Sequence, residues 1–198
     1  AYVTKKPFGL WEVVLSPNRI IYVDDQVRHA FAGRVINLET MTDLTQARIE
    51  ELSRIDWASL PLRDAIKVVH GSGKHEVAVF ADAACIYCRR LESYFSKISD
   101  VTVYTFIFSM KNSRNLSRGI VCSRNAPQAW TDLMIKGKQP EAGECDDSLL
   151  DRNDALSKKL GVTGTPTIFF PSGERLGGVP SFEDLQAFVK AGGIQGSA

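Results

Sequence analysis

The feature that most restricts what this chain can become is the stretch Glu76–Cys88. A strand-like apolar run, Glu76–Phe80, is followed by a four-residue turn and then by Cys85-Ile86-Tyr87-Cys88, which opens a segment of helical pattern reaching about Ile98. A helix start carries free backbone N–H groups and the positive end of the helix dipole, and both stabilise a thiolate. Only the first sulfur lies where that help is available. The second is on the same turn, close enough to close a disulfide. On this reading Cys85 is the attacking thiol, and Cys88 is the more buried thiol that resolves a mixed disulfide. Two other readings stay open on spacing alone. Two unreactive core thiols would fit, and so would half of a zinc site. A structural zinc site commonly uses two close-spaced ligand pairs. Here there is no second CxxC, His29, His70 and His75 are not paired in that way, and Cys122 and Cys145 are isolated.

Composition narrows the class. The chain has 198 residues, 44% apolar and 24% charged, with a formal charge of +1, so it is long enough for a real core and carries no basic footprint for nucleic acid. No run approaches the roughly 18 apolar residues of a membrane span. The opening Ala1-Tyr2-Val3-Thr4-Lys5-Lys6 lacks the apolar core of a signal peptide, which fits a cytosolic protein or a mature exported chain. Four cysteines that two disulfides could use up tilt the balance toward the exported chain.

Along the chain, Leu10–Leu15, Arg19–Val23 and Val27–Leu38 read as three short strands. They are separated by Ser16-Pro17-Asn18 and Asp24-Asp25, with Gly33 a possible bulge. Asp43–Ile55 reads as a helix capped by Thr42 or Asp43, with Leu44, Ala47, Leu52 and Ile55 on its apolar face. Ser59-Leu60-Pro61 ends it. Strand patterns follow at Ile66–Val69, Glu76–Phe80 and Val101–Phe108. Residues 113–160 read as two or three helices. Thr167–Phe170 and Arg175–Gly178 read as strands about a Pro171-Ser172-Gly173 turn, and Phe182–Lys190 as a terminal helix. This order predicts an α/β (α+β) architecture, a mixed sheet flanked by helices. The domain reading is a small β-rich unit over 1–42, a linker helix over 43–60, and a larger domain over 61–198 with a helical insertion at about 112–160.

A second element points to redox chemistry. Gly161-Val162-Thr163-Gly164-Thr165-Pro166 precedes the short strand at Thr167, and an X–Pro bond in such a turn is a candidate cis peptide. A CxxC at a helix start and a later Thr-Pro at a strand start are the two halves of a thioredoxin-type site. With both in view, the sequence resembles the periplasmic disulfide isomerases DsbC and DsbG over most of its length. Val77–Cys88 is similar to their strand–turn–CxxC, including Tyr87 before the second cysteine, and Gly161–Pro166 to their Gly-Val-(Ser/Thr)-Gly-Thr-Pro. Gln128–Met134 resembles their helical insertion. Arg19–Asp25 and Phe31-Ala32-Gly33 are similar to their dimerisation domain, which on this resemblance would be short of roughly a helix and part of a strand before Gly9.

The resemblance implies a thioredoxin-like fold with a helical insertion, a linker helix and a small β-rich dimerisation domain joining two protomers. It implies a structural disulfide between Cys122 and Cys145. It also implies a substrate strand bound at Thr165 and Pro166, with Tyr87 either against substrate or capping the site. The expected activity is disulfide isomerisation or reduction on partly folded or misoxidised proteins in the periplasm. It needs no cofactor or metal, and a DsbD-like membrane reductase keeps the pair reduced. Two other functions fit the sequence: a monomeric thiol oxidant or reductant without isomerase activity, and a holdase-type chaperone with incidental thiols. Ile86 departs from the glycine of DsbC and the proline of DsbG. Asp82 reads as a turn or cap residue, Arg89 and Arg90 as solvated, and Trp11, Trp57 and Trp130 as core or interface aromatics.

Overall fold

The computed structural model describes residues 2–16, 19–110, 113–141 and 143–194. The chain divides into two compact units, 1–54 and 55–198.

In the first unit, strands β1 (Tyr2–Lys5), β2 (Trp11–Ser16), β3 (Arg19–Val23) and β4 (Ala30–Phe31) form an antiparallel sheet in chain order. The expected turn at Pro17-Asn18 lies outside the described residues. Period-2 alternation turns Glu12 and Val14 of β2 inward, opposite Tyr22 and Ile20 of β3. A buried carboxylate must be paired, and Glu12 meets Lys6 at 3.0 Å and Arg48 at 3.1 Å. Two further strands, β5 (Ile36–Asn37) and β6 (Thr42–Asp43), form a separate hairpin that leads into α1 (Leu44–Leu52).

Two expectations are corrected here. The third strand does not run through Val27–Leu38. The Asp24 carboxylate accepts the N–H groups of Arg28 and His29, Val27 takes a left-handed φ of 53°, and pairing survives only at β4 and β5. Helix α1 is also shorter than Asp43–Ile55, although Asp43 does cap it by accepting the Gln46 N–H. Its buried residue is Thr45, hydrogen-bonded to the Tyr22 hydroxyl at 2.7 Å, and Ile49 and Leu52 pack on the core while Ala47 is exposed. The helix therefore packs within the first unit. Its small core leaves Tyr2, Val3, Val27, Phe31, Leu38 and Met41 exposed.

The second unit is built on a five-stranded sheet. Strands β7 (Ile66–His70), β8 (His75–Ala81), β9 (Val101–Ile107), β10 (Thr167–Phe169) and β11 (Arg175–Gly177) lie in the order β11-β10-β8-β9-β7. Only β8 and β9 are parallel, and α2 (Ile86–Phe95) supplies their crossover. Three helices, α3 (Arg114–Val121), α4 (Ala126–Lys136) and α5 (Ser148–Lys159), follow β9, and α6 (Phe182–Ala191) closes the chain. Both sheet faces are covered, which is why β8 and β9 read as continuous apolar runs. Val77, Val79 and Val103 face Leu91, Phe95 and Trp130, whereas Ala78, Phe80 and Phe106 face Phe108, Val162 and Phe169. Gly173, at φ +83°, admits the Ile55 carbonyl where any Cβ would collide with it, and the Ile55 N–H donates to the Gly173 carbonyl at 2.9 Å.

Candidate functional site

Strand β8 ends at Ala81, and the turn Asp82–Ala84 delivers Cys85 to the start of α2. Cys85 is the N-cap of the helix, with extended backbone, and Ile86 is the first helical residue. That is one position short of the expected helix start, and it suits the chemistry better. An N-cap side chain reaches back to the free N–H groups, and the Cys85 sulfur accepts the Cys88 N–H at 3.4 Å.

Thr165-Pro166 is a cis peptide. The Thr165 carbonyl lies 3.6 Å from the Cys85 sulfur, whose thiol donates to it. Cys85 is half-buried and Cys88 fully buried, and both are free. Burial pushes the Cys88 thiol well up, reinforced by Cys85 and opposed only by weaker hydrogen bonds at Asp82 and Thr165. Ile86 and Tyr87, between the two sulfurs, are exposed. Cys85, Cys88, Thr165 and Pro166 therefore meet, with Tyr87 at the surface beside them.

Cys122 and Cys145 lie apart from this cluster. They are joined, with Cα atoms 5.4 Å apart, and tie the C-cap of α3 to the irregular segment before α5. Among the described residues, no three His, Cys, Asp or Glu side chains gather as a metal site. No helix among them is long and apolar enough to cross a membrane.

Two polar features near the cysteines go beyond the sequence reading. Glu92 sits on the buried stripe Cys88, Leu91, Glu92, Phe95 of α2 and accepts the Trp130 indole N–H at 3.1 Å. Burial pushes its carboxyl up to about 7. Its signal was present in the sequence: a carboxylate at i, i+3, i+4, i+7 spacing with apolar residues belongs to the inner face. The other is the set of partners around Asp82. Its carboxylate accepts the Ala84 N–H, as a turn residue would, and also binds Met110 and Ser113, far away in sequence.

Comparison with known proteins finds a matching family and several relatives. Residues 62–193 match the family described as thioredoxin-like domain, and residues 1–46 match the disulfide bond isomerase protein N-terminal domain. The chain is 36% identical over 187 residues to the probable thiol:disulfide interchange protein DsbC of Bordetella pertussis, covering 93% of this chain and 66% of that protein. It thus spans just under two thirds of that relative's length. It is 22% identical to the Escherichia coli thiol:disulfide interchange protein DsbC, over 92% of this chain and 78% of that one. Among solved structures, the disulfide interchange protein from Neisseria gonorrhoeae superposes with a TM-score of 0.65 at 35% identity, over 69% of this chain and all of that one.

Proposed function

The chain belongs to the DsbC-like proteins of the thioredoxin superfamily, and on that premise we propose that it is a periplasmic disulfide isomerase and reductase working through Cys85 and Cys88. The observation that carries this reading is the Cys85 sulfur at the α2 N-cap, between the Cys88 N–H and the cis Thr165-Pro166 carbonyl.

The Cys85 thiolate attacks one sulfur of a substrate disulfide, the other substrate thiolate leaves, and a mixed disulfide forms. A substrate thiolate can then attack the substrate sulfur of that bond, giving a rearranged substrate and a free Cys85, with no net change in oxidation. Alternatively, Cys88 attacks the Cys85 sulfur, the Cys85–Cys88 disulfide forms, and the substrate leaves reduced. Burial raises the Cys88 thiol and so disfavours its thiolate, which leaves the attack on substrate to Cys85. The second route consumes two electrons from the pair, which a DsbD-like membrane reductase restores. Thr165 and Pro166 present the backbone edge along which an extended, partly folded substrate lies, and Tyr87 packs beside it.

In this reading the small N-terminal unit is a dimerisation domain, and the chain after α1 links it to the catalytic domain. The exposed apolar residues of that small domain support assembly with a second copy. The Cys122–Cys145 bond serves structure, holding the helical insertion. Reactivation of a scrambled-disulfide protein tests the reading. Cys85→Ser is expected to abolish it, and full activity in that variant would overturn the assignment.

A further inference from the structure

Asp82, 3% exposed, is a buried carboxylate three residues before the attacking sulfur. One of its oxygens takes the Ala84 N–H at 2.7 Å. The other takes the Met110 N–H at 2.6 Å and the Ser113 hydroxyl at 2.7 Å, and that hydroxyl also lies 3.1 Å from the Met110 carbonyl. A buried carboxylate is tolerated only with its donors in place. Asp82 therefore clasps the chain beyond β9 against the turn that carries Cys85.

The clasp sets the position of one side chain. Met110 is 39% exposed, and its sulfur accepts the Thr165 hydroxyl at 3.8 Å. Thr165 in turn accepts the Cys85 thiol on its carbonyl. A continuous line of contact thus runs from Met110 through Thr165 to the reacting sulfur. On the helix side, the two residues after Cys85, Ile86 and Tyr87, are also large, apolar and exposed. A thioether is unbranched and polarisable and fits side chains of varied shape.

We propose that Met110, with Ile86 and Tyr87, forms a substrate subsite that receives an apolar side chain next to the reacting cysteine of an extended polypeptide, and that Asp82 is the positioning residue that holds Met110 there. The proposal rests on the interchange reading above and names the substrate class for it: unfolded segments whose cysteines have apolar neighbours.

The test uses single turnovers of the reduced full chain. Two extended peptides each carry one cysteine as a mixed disulfide with a chromogenic thiol and differ only in the next residue, Leu or Ser. The Cys85 thiolate attacks the peptide sulfur and the chromogenic thiolate leaves. Cys88 then attacks Cys85, and the peptide thiolate leaves and takes up a proton, so the protein dithiol supplies both electrons. The unaltered protein is expected to favour the Leu peptide by roughly fivefold in the second-order rate constant of the single turnover, the scale of a partly buried apolar contact. Met110→Ser should bring that ratio close to one, Met110→Leu should keep it, and Ser113→Ala, which removes one donor to Asp82, should lower it by loosening the clasp.

A ratio near one in the unaltered protein, or one unmoved by Met110→Ser while turnover continues, overturns the subsite. A ratio unmoved by Ser113→Ala overturns the clasp. Failure of the unaltered protein to react with either peptide overturns the interchange reading itself, and the subsite with it.

Discussion

Cys85 and Cys88 sit three residues apart at the start of α2, whereas Cys122 and Cys145 are joined across the helical insertion. Solvent exposure does not explain the contrast, because Cys145 is exposed and Cys85 only half so. The backbone at each sulfur does. Cys85 caps the N-terminus of a helix, where N–H groups and the dipole favour a thiolate. Cys122 caps the C-terminus of α3, where the dipole has the opposite sign and a departing thiolate is disfavoured. The first pair is therefore placed to exchange and the second to stay closed, although all four are ordinary cysteines.

The sharpest way to break this contrast is to remove the buried partner of the first pair. Cys88→Ser leaves resolution to external thiols, and net reduction of a peptide disulfide should slow at least about a thousandfold, the loss expected when an intramolecular nucleophile is replaced by a dilute one. Stopped-flow reduction checks this, and near-normal reduction would assign resolution elsewhere. Next, replacing both Cys122 and Cys145 with Ala should cost about 3 kcal/mol in denaturant unfolding, the chain-entropy value for a loop whose ends are 23 residues apart. Interchange by the folded protein should persist. Loss of interchange with folding intact would merge the two roles.

A third test concerns the contact that joins the two regions. Trp130 lies between Cys122 and Cys145 in sequence, and its indole donates to Glu92 on the active-site helix. Burial holds the Glu92 carboxyl at about 7 against an ordinary 4.5. The folded protein thus binds this proton more tightly than the unfolded chain. Its contribution to stability is complete below about pH 4.5 and is lost as pH rises to about 7. Glu92→Gln should remove that pH dependence, so the variant gains on the natural protein between these limits by about 3 kcal/mol. Denaturant unfolding at several pH values reads the difference, and a constant gap across the range would refute it. The smallest effect is expected at Ile86. As the first helical residue it needs no N–H acceptor and is 74% exposed, so Ile86→Pro should change stability by no more than about 0.5 kcal/mol. A larger loss in the same unfolding assay would mean the side chain supports the site.

Much of this was legible in the sequence because its causes are local. The strand–turn–CxxC–helix order follows from an apolar run, a break and a change of period, and the Thr165-Pro166 turn from glycine and proline. What stayed hidden depends on distant partners. Thr45 is buried and Ala47 exposed because Tyr22, from another strand, supplies a hydroxyl partner. Val27–Leu38 reads as a strand, yet Asp24 captures the N–H groups of Arg28 and His29 and turns it aside. The Met110 N–H is held by Asp82, 28 residues earlier, and no local pattern marks that pairing. Glu92 differs from these: its spacing placed it on the inner face, and only the habit of reading charge as surface concealed it.

The central claim is that Cys85, by its place at the start of α2, is the sulfur that attacks substrate. Cys88→Ser protein incubated with a scrambled-disulfide substrate, quenched in acid and mapped by peptide mass spectrometry, tests it most directly. The substrate should be found covalently joined to Cys85, with Cys122 and Cys145 still bonded to each other. Substrate joined to Cys122 or Cys145, or no covalent complex at all, would contradict it.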